Sequence, residues 1–405
     1  MLLKLAARNL IRHRRRTGIT VFAIAGGLAL MVLSITVGNG VYVEMLDQGI
    51  TKQAGHVVVQ AIGFQDERER HQVVENAPDI EAALLEAAPD GKVLSRTWLR
   101  GLLTSTTNAV GAAVAGVQPS AEIDVTDWDE KLVEGEWLAD DDERGIVLGA
   151  GLAQSLGVEL GDKVVLMVQG DDEVDSRLFR VRGVLSTGSA DIDGFLAMAH
   201  IDATRELLPG IEPAHQVSLH LEEDTSLQLA GVLQVPDGSE VLTWKEALPE
   251  LVEYIRIDRK SNDVFMIIIG LIVTIGVLNT VLMSVLERVR EFGVMLAVGM
   301  TPGRLFTLVV TEGLLLGLVG MALGVLGGAA LSYPLVTSGL DYTGMMGGDN
   351  IDVSGVTVSM VIYGVYDWLR VAHYALGAVL LTLSSTLYPA IKASRLQPVD
   401  AMRHI

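Results

Sequence analysis

Four charged side chains are crowded into the first five residues of "ERVREFGVMLAVGMTPGRL", which covers residues 287–305. Glu287, Arg288, Arg290 and Glu291 carry both signs of charge between two long apolar runs. Ion pairs across an interface fix the register and orientation of two partners. We therefore predict a short helix that docks onto another protein. The alternative is an interfacial helix that only joins two membrane spans.

One further carboxylate, that of Glu312, stands at the start of the apolar run that follows. An ionisable side chain inside a bilayer is costly to bury and marks a functional site by default. Glu312 is therefore a candidate intramembrane functional residue. A hydrogen-bonded structural glutamate is the alternative.

The same run carries five glycines spaced three or four residues apart. At 100° per residue in a helix they fall on one narrow face. Small residues on one face let membrane helices approach closely. We therefore predict a helix-packing face, either within the chain or against a partner, formed by Gly313, Gly317, Gly320, Gly324 and Gly328.

The residue types that catalyse reactions or bind metals do not occur at the spacings of known catalytic or metal-binding motifs. Gly91 and Lys92 are followed by Val93, so they do not form a G-x-x-x-x-G-K-[ST] phosphate loop. His215 and His220 are five residues apart, and we expect them in a strand interior rather than at a zinc ion. We therefore predict that this chain is not an enzyme, with no catalytic residue, no metal site and no cofactor of its own.

Four apolar runs free of Lys, Arg, Asp and Glu are each long enough to cross a bilayer, which takes about 20 helical residues. They are Thr17–Gly38, Val264–Leu286, Gly313–Thr337 and Val371–Ile391. Thr301 and Pro302 suit the N-cap and first residue of a helix, and Gly299 suits the end of the preceding one. We therefore expect transmembrane helices at 17–38, 264–286, 302–337 and 371–391, with the short helix at 287–301.

Charge is distributed unevenly along the chain. Residues 1–16 hold six basic residues and no acidic ones, and their apolar spacing predicts an amphipathic helix. Segments 287–304 and 390–405 also have a net positive charge. By contrast, residues 39–263 hold 17 Lys and Arg against 42 Asp and Glu, which argues against nucleic acid as a partner.

Short loops rich in Lys and Arg stay in the cytoplasm, so this charge pattern predicts a topology. Both termini, the helix at 287–301 and the tail at 392–405 are expected inside. Residues 39–263 and the loop at 338–370 are expected outside. The outer segment reads as mixed α/β, with strands such as Gly55–Gln60, and its last helix, Lys245–Asp263, should run into the second span as a stalk.

Several stretches together resemble the bacterial ABC-transporter permeases of the MacB, LolC/LolE and FtsX type. They are "ERVREFGVMLAVGMTPGRL", "TEGLLLGLVGMALGVLGG" and the C-terminal "YPAIKASRLQPVDAMRHI". The resemblance covers nearly the whole chain. It implies a membrane protein with a four-transmembrane-helix permease bundle and a large mixed α/β periplasmic domain inserted between helices 1 and 2.

The resemblance also implies partners. Such permeases pair with a second permease chain, identical or not, in the bacterial inner membrane, and rest on a cytoplasmic ABC ATPase that binds the ATP and Mg. They act as mechanotransmitters between that ATPase and the periplasmic domain. The docking role falls on Glu287, Arg288, Arg290, Glu291, Phe292, Gly293 and Gly299. Leu296 departs from the pattern, because the family has Arg or Lys there.

As a permease chain with no fused ATPase, this sequence is most similar to LolC and LolE. That resemblance implies release of lipoproteins or similar amphiphiles, with membrane lipid as a further partner. A periplasmic lipoprotein carrier is captured in LolC by a proline-rich hook. Here the matching interval, Gln169–Ser176, is short, acidic and without proline. An FtsX-like signal transmitter and a MacB-like exporter of peptides or drugs are the alternatives.

Overall fold

The computed structural model describes residues 2–170, 174–222, 224–231, 233, 235–341, 351–353, 356–358 and 361–397. The chain divides into two compact units. The helical unit comprises Met1–Val43, Arg256–Leu340 and Val361–Ile405, and the α/β unit comprises Glu44–Ile255 and Asp341–Met360.

The α-helices follow one another along the chain in this order: α1 (Leu2–Arg12), α2 (Arg14–Gly49), α3 (Phe64–Glu67), α4 (Ala77–Ala87), α5 (Pro119–Val125), α6 (Ala150–Leu156), α7 (Ala190–Asp193), α8 (Ile201–Arg205), α9 (Ser226–Ala230), α10 (Trp244–Ala247), α11 (Pro249–Glu287), α12 (Val289–Ala297), α13 (Pro302–Ser338) and α14 (Trp368–Ser394). The strands are β1 (Val57–Ala61), β2 (Lys92–Thr104), β3 (Ala109–Val117), β4 (Leu132–Gly135), β5 (Gly145–Gly149), β6 (Lys163–Gln169), β7 (Val174–Leu185), β8 (Leu196–His200), β9 (Gln216–His220), β10 (Ser239–Thr243), β11 (Leu340–Asp341), β12 (Ile351–Val353), β13 (Val356–Val358) and β14 (Val361–Ile362).

Within the described part of the chain, four helices are long and apolar enough to cross a membrane: α2, α11, α13 and α14. Each contains one of the predicted spans, so the prediction of four helices long and apolar enough to cross a bilayer is confirmed. The helices extend beyond the apolar runs because a helical hydrogen-bond ladder continues through polar flanking turns. Thus α2 does not end at Gly38 but continues to Gly49 and then into a π-helical turn, Ile50–Ala54.

The turn between α12 and α13 forms as its residue types predict. Gly299 adopts a φ of 104°, in the left-handed region that favours glycine, just after α12 ends. The chain then reverses, and the amide of Met300 donates to the carbonyl of Met295 at 3.0 Å. Pro302 is the first residue of α13 with Thr301 at its N-cap position. The predicted short helix is observed as Val289–Ala297.

The helix α11 is one continuous element of 39 residues. The predicted stalk helix therefore does run into the second span, but its predicted start at Lys245 is wrong. Lys245 belongs to the separate short helix α10, which is closed by a capping box between Thr243 and Glu246. Pro249 then begins α11, because proline has no N–H to continue the earlier helix but suits a first helical turn.

Ten strands of the α/β unit form one mixed sheet in the order β10-β1-β9-β2-β3-β8-β5-β7-β4, with β6 paired to β2 and β7. The long strand β2 joins its two halves. Residues 92–96 of β2 pair with β9, and residues 97–104 pair with β3. One apolar cluster lies around β1, β9 and α4, and a larger one lies around β2, β5, β6, β7 and β8. The mixed α/β prediction for this segment is confirmed.

A buried ion pair fixes the helix α5 to the middle of β2. Arg96 is 2 % exposed and Glu122 is 1 % exposed. The guanidinium donates from Nη2 to Oε1 at 2.6 Å and from Nε to Oε2 at 3.1 Å. Its Nη1 also donates to the carbonyl of Lys52 at 2.9 Å. Both charges are paired and hydrogen-bonded, and these interactions offset the cost of removing the two charges from water.

His215, just before β9, and His220, at the end of β9, both lie inside the α/β unit. The predicted strand position is therefore confirmed for His220 and wrong for His215. His215 has no exposed surface, and its Nδ1 accepts a hydrogen bond from the amide of Trp98 at 3.0 Å. Burial lowers the pKa of His215 to about 4. Burial, followed by the positive charge of Arg96, lowers the pKa of His220 to about 3.

We expect the α/β unit to lose stability in mild acid because of these two histidines. In the unfolded chain both take up a proton near pH 6.5, whereas in the fold they do so only near the lowered values. Acid between pH 6.5 and 4 therefore favours the unfolded chain, by about 2 kcal/mol per histidine at pH 5. Urea unfolding of the purified chain, followed by tryptophan fluorescence at pH 7.5 and 5, measures the loss.

The variant His215→Gln should reduce this pH dependence by about 2 kcal/mol, although its stability at pH 7.5 also falls. The matched control is His71→Gln, because His71 is exposed. An unchanged pH dependence in His215→Gln would contradict the assignment.

Candidate functional site

The short helix α12 packs one face against the rest of the helical unit. Phe292 has no exposed surface and Gly293 is buried beside it. Phe292 belongs to an apolar cluster shared by α1, α11, α13 and α14, with Ala6, Leu305 and Ala390 among its members. This face of α12 is therefore anchored by hydrophobic burial.

A buried ion pair joins the start of α12 to α13. Arg288, at the N-cap position of α12, is 4 % exposed. Its Nη1 donates to Oε2 of Glu312 at 2.9 Å, and its Nε donates to Oε2 of Glu291 at 3.2 Å. The guanidinium also lies 4.8 Å from the ring centroid of Phe292. Arg288 thus contacts Glu312, Glu291 and Phe292 within the chain.

The network continues from α13 into the N-terminal helix. Asn9 of α1 donates from Nδ2 to Oε1 of Glu312 at 2.7 Å, so both oxygens of Glu312 accept a hydrogen bond. Arg12 of α1 lies 3.8 Å from Glu291. Glu312 is therefore hydrogen-bonded, as expected for the alternative of a structural glutamate. It links α1, α12 and α13.

The opposite face of α12 points outward. Arg290 is exposed and makes no ion pair with any residue that the structure describes. Val294 is 48 % exposed and Val298 is 84 % exposed. Residues four apart share one face of a helix. The outer face, defined here as Arg290, Val294 and Val298, therefore offers one cation followed by two apolar side chains.

The seven residues predicted to dock are thus divided between two faces. Arg288, Phe292 and Gly293 turn inward, so Arg288 has no exposed charge to offer and we assign it to anchoring α12. Glu287 is exposed and pairs with Arg16 at the start of α2. Glu291 is half-buried, and Gly299 ends the helix as described above.

Sequence reasoning missed three functional candidates. Val294 and Val298 follow Arg290 at four-residue intervals, and that spacing was a signal for a shared outer face. Asn9 had no such signal, because its partner Glu312 is 303 residues away.

The five glycines of α13 all face other helices of the same chain. A Cβ atom at these positions would meet Thr386 and Thr382 of α14 from Gly313 and Gly317, and Ile24, Leu28 and Val32 of α2 from Gly320, Gly324 and Gly328. The stripe therefore packs α13 tightly against two neighbours, as small residues permit in membrane bundles.

An apolar cavity of about 230 Å³ lies between α2, α11 and α14. Three glycines, Gly27, Gly270 and Gly377, contribute to its lining, and the hydroxyls of Thr274 and Thr382 are among its few polar groups. A cavity of this size and character suits a hydrocarbon chain better than a polar solute.

Two protein-family models match the chain. The "MacB-like periplasmic core domain" matches residues 17–247, which is more than half of the chain. The "FtsX-like permease C-terminal" model matches residues 264–398. The second match contains α12, α13, α14 and most of the network around Glu312.

Among curated proteins, the chain is 24% identical over 417 residues to a "Lipoprotein-releasing system transmembrane protein LolC" of Neisseria meningitidis, which covers 97% of both chains. It is 21% identical over 403 residues to a "Lipoprotein-releasing system transmembrane protein LolE" of Haemophilus influenzae, which covers 95% of this chain and 93% of that one. Among solved structures, the periplasmic region of MacB from Actinobacillus actinomycetemcomitans is 18% identical and covers 50% of this chain and 95% of that chain, with a TM-score of 0.36.

The family models account for both units, since one matches the α/β unit and the other matches the helices that follow it. The four long apolar helices fit a multi-pass inner-membrane protein of this kind. The chain therefore belongs to the family of ABC-transporter permeases that combine a MacB-like periplasmic core domain with an FtsX-like permease domain.

Proposed function

We propose that the chain is the membrane subunit of an ABC transporter and couples ATP hydrolysis by a separate ATPase to movement of its α/β unit. The observation that carries this proposal is the helix α12, which is anchored by buried charges on one face and exposes Arg290, Val294 and Val298 on the other. A small patch with apolar side chains and one cation is typical of a protein contact. ATP and Mg bind to the partner ATPase.

The proposed topology has both termini and α12 in the cytoplasm, and the α/β unit in the periplasm between the spans α2 and α11. It rests on the excess of Lys and Arg at residues 1–16 and on the acidity of residues 39–263. A second permease chain, identical or different, completes the transporter.

In this mechanism the ATPase moves α12, and the buried pair between Arg288 and Glu312 passes the displacement to α13. The same displacement reaches α11, because only Arg288 separates the end of α11 at Glu287 from α12. A continuous helix transmits displacement more stiffly than a flexible linker. The 39 residues of α11 extend without a break from Glu287 back to Pro249.

We further propose lipoproteins or similar amphiphiles as the cargo. Two relatives whose names state lipoprotein release align with nearly the whole chain. The apolar cavity between α2, α11 and α14 offers about 230 Å³ for part of an acyl chain. A signalling role of the FtsX type and a peptide or drug exporter of the MacB type are the competing functions.

Capture of a periplasmic carrier by the hairpin of β6 and β7 is not part of the proposal. The two strands pair as far as Gln169 with Val174, which leaves four residues for the connection. Of these, 171–173 lie outside the described residues. A carrier, if one takes part, is recruited by the paired permease chain.

The test is to purify the tagged chain with its ATPase from host membranes and reconstitute both in proteoliposomes. We expect an acylated lipoprotein to stimulate ATP hydrolysis and to leave the vesicles when ATP is added. We expect Val298→Asp to reduce ATPase recovery at least tenfold, because the charge is placed among the apolar side chains of the proposed contact. The measurements are the recovered ATPase, the rate of phosphate release and the released lipoprotein.

Lys392→Glu is the control, because it also adds negative charge, at an exposed residue of α14 that is not part of the outer face of α12. Full ATPase recovery with Val298→Asp would refute docking through the outer face of α12. If docking is intact but the rate of ATP hydrolysis does not change when the acylated protein is added, lipoprotein cargo is refuted and one of the two competing functions is favoured.

A further inference from the structure

A small polar cavity lies inside the helical unit where α1, α2, α11 and α13 meet. Its volume is about 40 Å³, and its lining includes Arg16, Thr20, Ser284, Arg288 and Glu312. This is room for about three water-sized groups, or for the oxygens of one small oxyanion. The cavity is distinct from the outer face of α12 and from the apolar cavity.

Two guanidinium nitrogens at this cavity have no hydrogen-bond partner among the residues that the structure describes. They are Nη1 of Arg16 and Nη2 of Arg288, and both atoms are buried. Arg288 already uses Nη1 and Nε on carboxylates, and Arg16 uses Nη2 on Glu287. A guanidinium can only donate, so each orphaned nitrogen needs an acceptor.

The carboxylates that pair with these two arginines are already engaged in hydrogen bonds. Glu312 already accepts from Asn9 and from Arg288. Of the Arg, Lys, Asp and Glu side chains, Arg16, Arg288 and Glu312 line the cavity, whereas Glu287 and Glu291, which pair with the two arginines, do not. A water molecule can accept at most two hydrogen bonds, whereas a phosphate presents several acceptor oxygens to the two guanidiniums at once.

We propose that this cavity binds a phosphate oxyanion, held by Arg16 and Arg288, with the headgroup of an anionic membrane lipid as its source. Arginine matches the oxygens of a phosphate in a planar, two-pronged contact. Basic pockets between membrane helices near the cytoplasmic surface recognise lipid headgroups in this way. On the topology proposed above, this end of the bundle lies in that leaflet.

The experiment uses the full chain purified in a neutral detergent, so it does not depend on the ATPase, the cargo or the topology. Native mass spectrometry and thermal unfolding are measured with phosphatidylglycerol, with diacylglycerol of the same acyl chains, and with inorganic phosphate. We expect one phosphatidylglycerol to be retained per chain and the melting temperature to rise, whereas diacylglycerol does neither.

The variant Arg16→Gln should weaken phosphatidylglycerol binding about tenfold, because one of the two orphaned donors is lost. Arg15→Gln is the matched control, since Arg15 is an exposed neighbour outside the cavity and its loss removes the same charge. We expect it to bind as the unchanged chain does.

A response to inorganic phosphate alone that Arg16→Gln abolishes would support the oxyanion site and identify free phosphate as its source. Equal binding of phosphatidylglycerol and diacylglycerol in the unchanged chain would overturn the proposal without any variant. So would equal losses in Arg15→Gln and Arg16→Gln, since non-specific attraction would then explain the binding. If neither phosphatidylglycerol nor inorganic phosphate binds or raises the melting temperature, the proposal is overturned and the cavity is assigned to water.

Discussion

Replacing Glu312 with alanine is expected to destabilise the helical bundle by about 3–5 kcal/mol. The change removes the acceptor of Arg288 Nη1 and of Asn9 Nδ2. Arg288 is only 4 % exposed, so its charge stays buried with the half-buried Glu291 as its remaining counterion. Unfolding in detergent, followed by helical circular dichroism, measures the loss of stability.

A second substitution distinguishes a lost pair from a lost packing contact. Adding Arg288→Met to Glu312→Ala removes the stranded charge while keeping an apolar side chain against Phe292, so we expect most of the stability to return. The control is Glu287→Ala, whose exposed pair with Arg16 should contribute no more than about 1 kcal/mol. If the double variant were less stable than Glu312→Ala, the stranded charge would not be the cause.

Replacing Gly328 with leucine is expected to separate α13 from α2 and to cost about 3 kcal/mol, at the upper end for overpacking. A Cβ atom there would lie 2.6 Å from the Cβ of Val32 and 3.0 Å from the Cα of Ala29. Backbone atoms of α2 cannot move aside as a flexible side chain can. Thermal unfolding in detergent and the yield of folded chain report the effect.

The neighbouring Gly327 provides the control. A Cβ atom at Gly327 would lie 4.0 Å from that of Ala29, an ordinary contact distance. Gly327→Ala should therefore be neutral or stabilise the helix by up to about 1 kcal/mol, whereas Gly328→Ala should already destabilise it. Equal effects at the two positions would show that helix propensity, and not the packing of α2, controls the result.

Periodicity and turn chemistry predicted the elements of this chain well. The four spans follow from apolar length, and the bend between α12 and α13 follows from Gly299 and Pro302. Helix starts were harder, as Lys245 shows, because a capping box and a following proline compete with a continuous helical pattern. Local sequence fixes what an element is more firmly than where it begins.

The direction of side chains was less predictable from the sequence. Arg288 and Arg290 are two residues apart and of the same type, yet one is buried and the other exposed. The difference comes from Glu312 and Asn9, which approach only after α1 and α13 have packed. Long-range pairing of this kind leaves no local pattern, and the strand order of the mixed sheet was unpredictable for the same reason.

The strand β2 has a consequence for how the α/β unit comes apart. Its 13 residues run from the smaller apolar cluster into the larger one, and β9 and β3 pair with successive parts of it. Unfolding of either half removes hydrogen-bonding partners from β2, and the other half also depends on this strand. We therefore expect the two halves to unfold in a single cooperative step. If the chain is cut near Thr97, neither piece should remain folded.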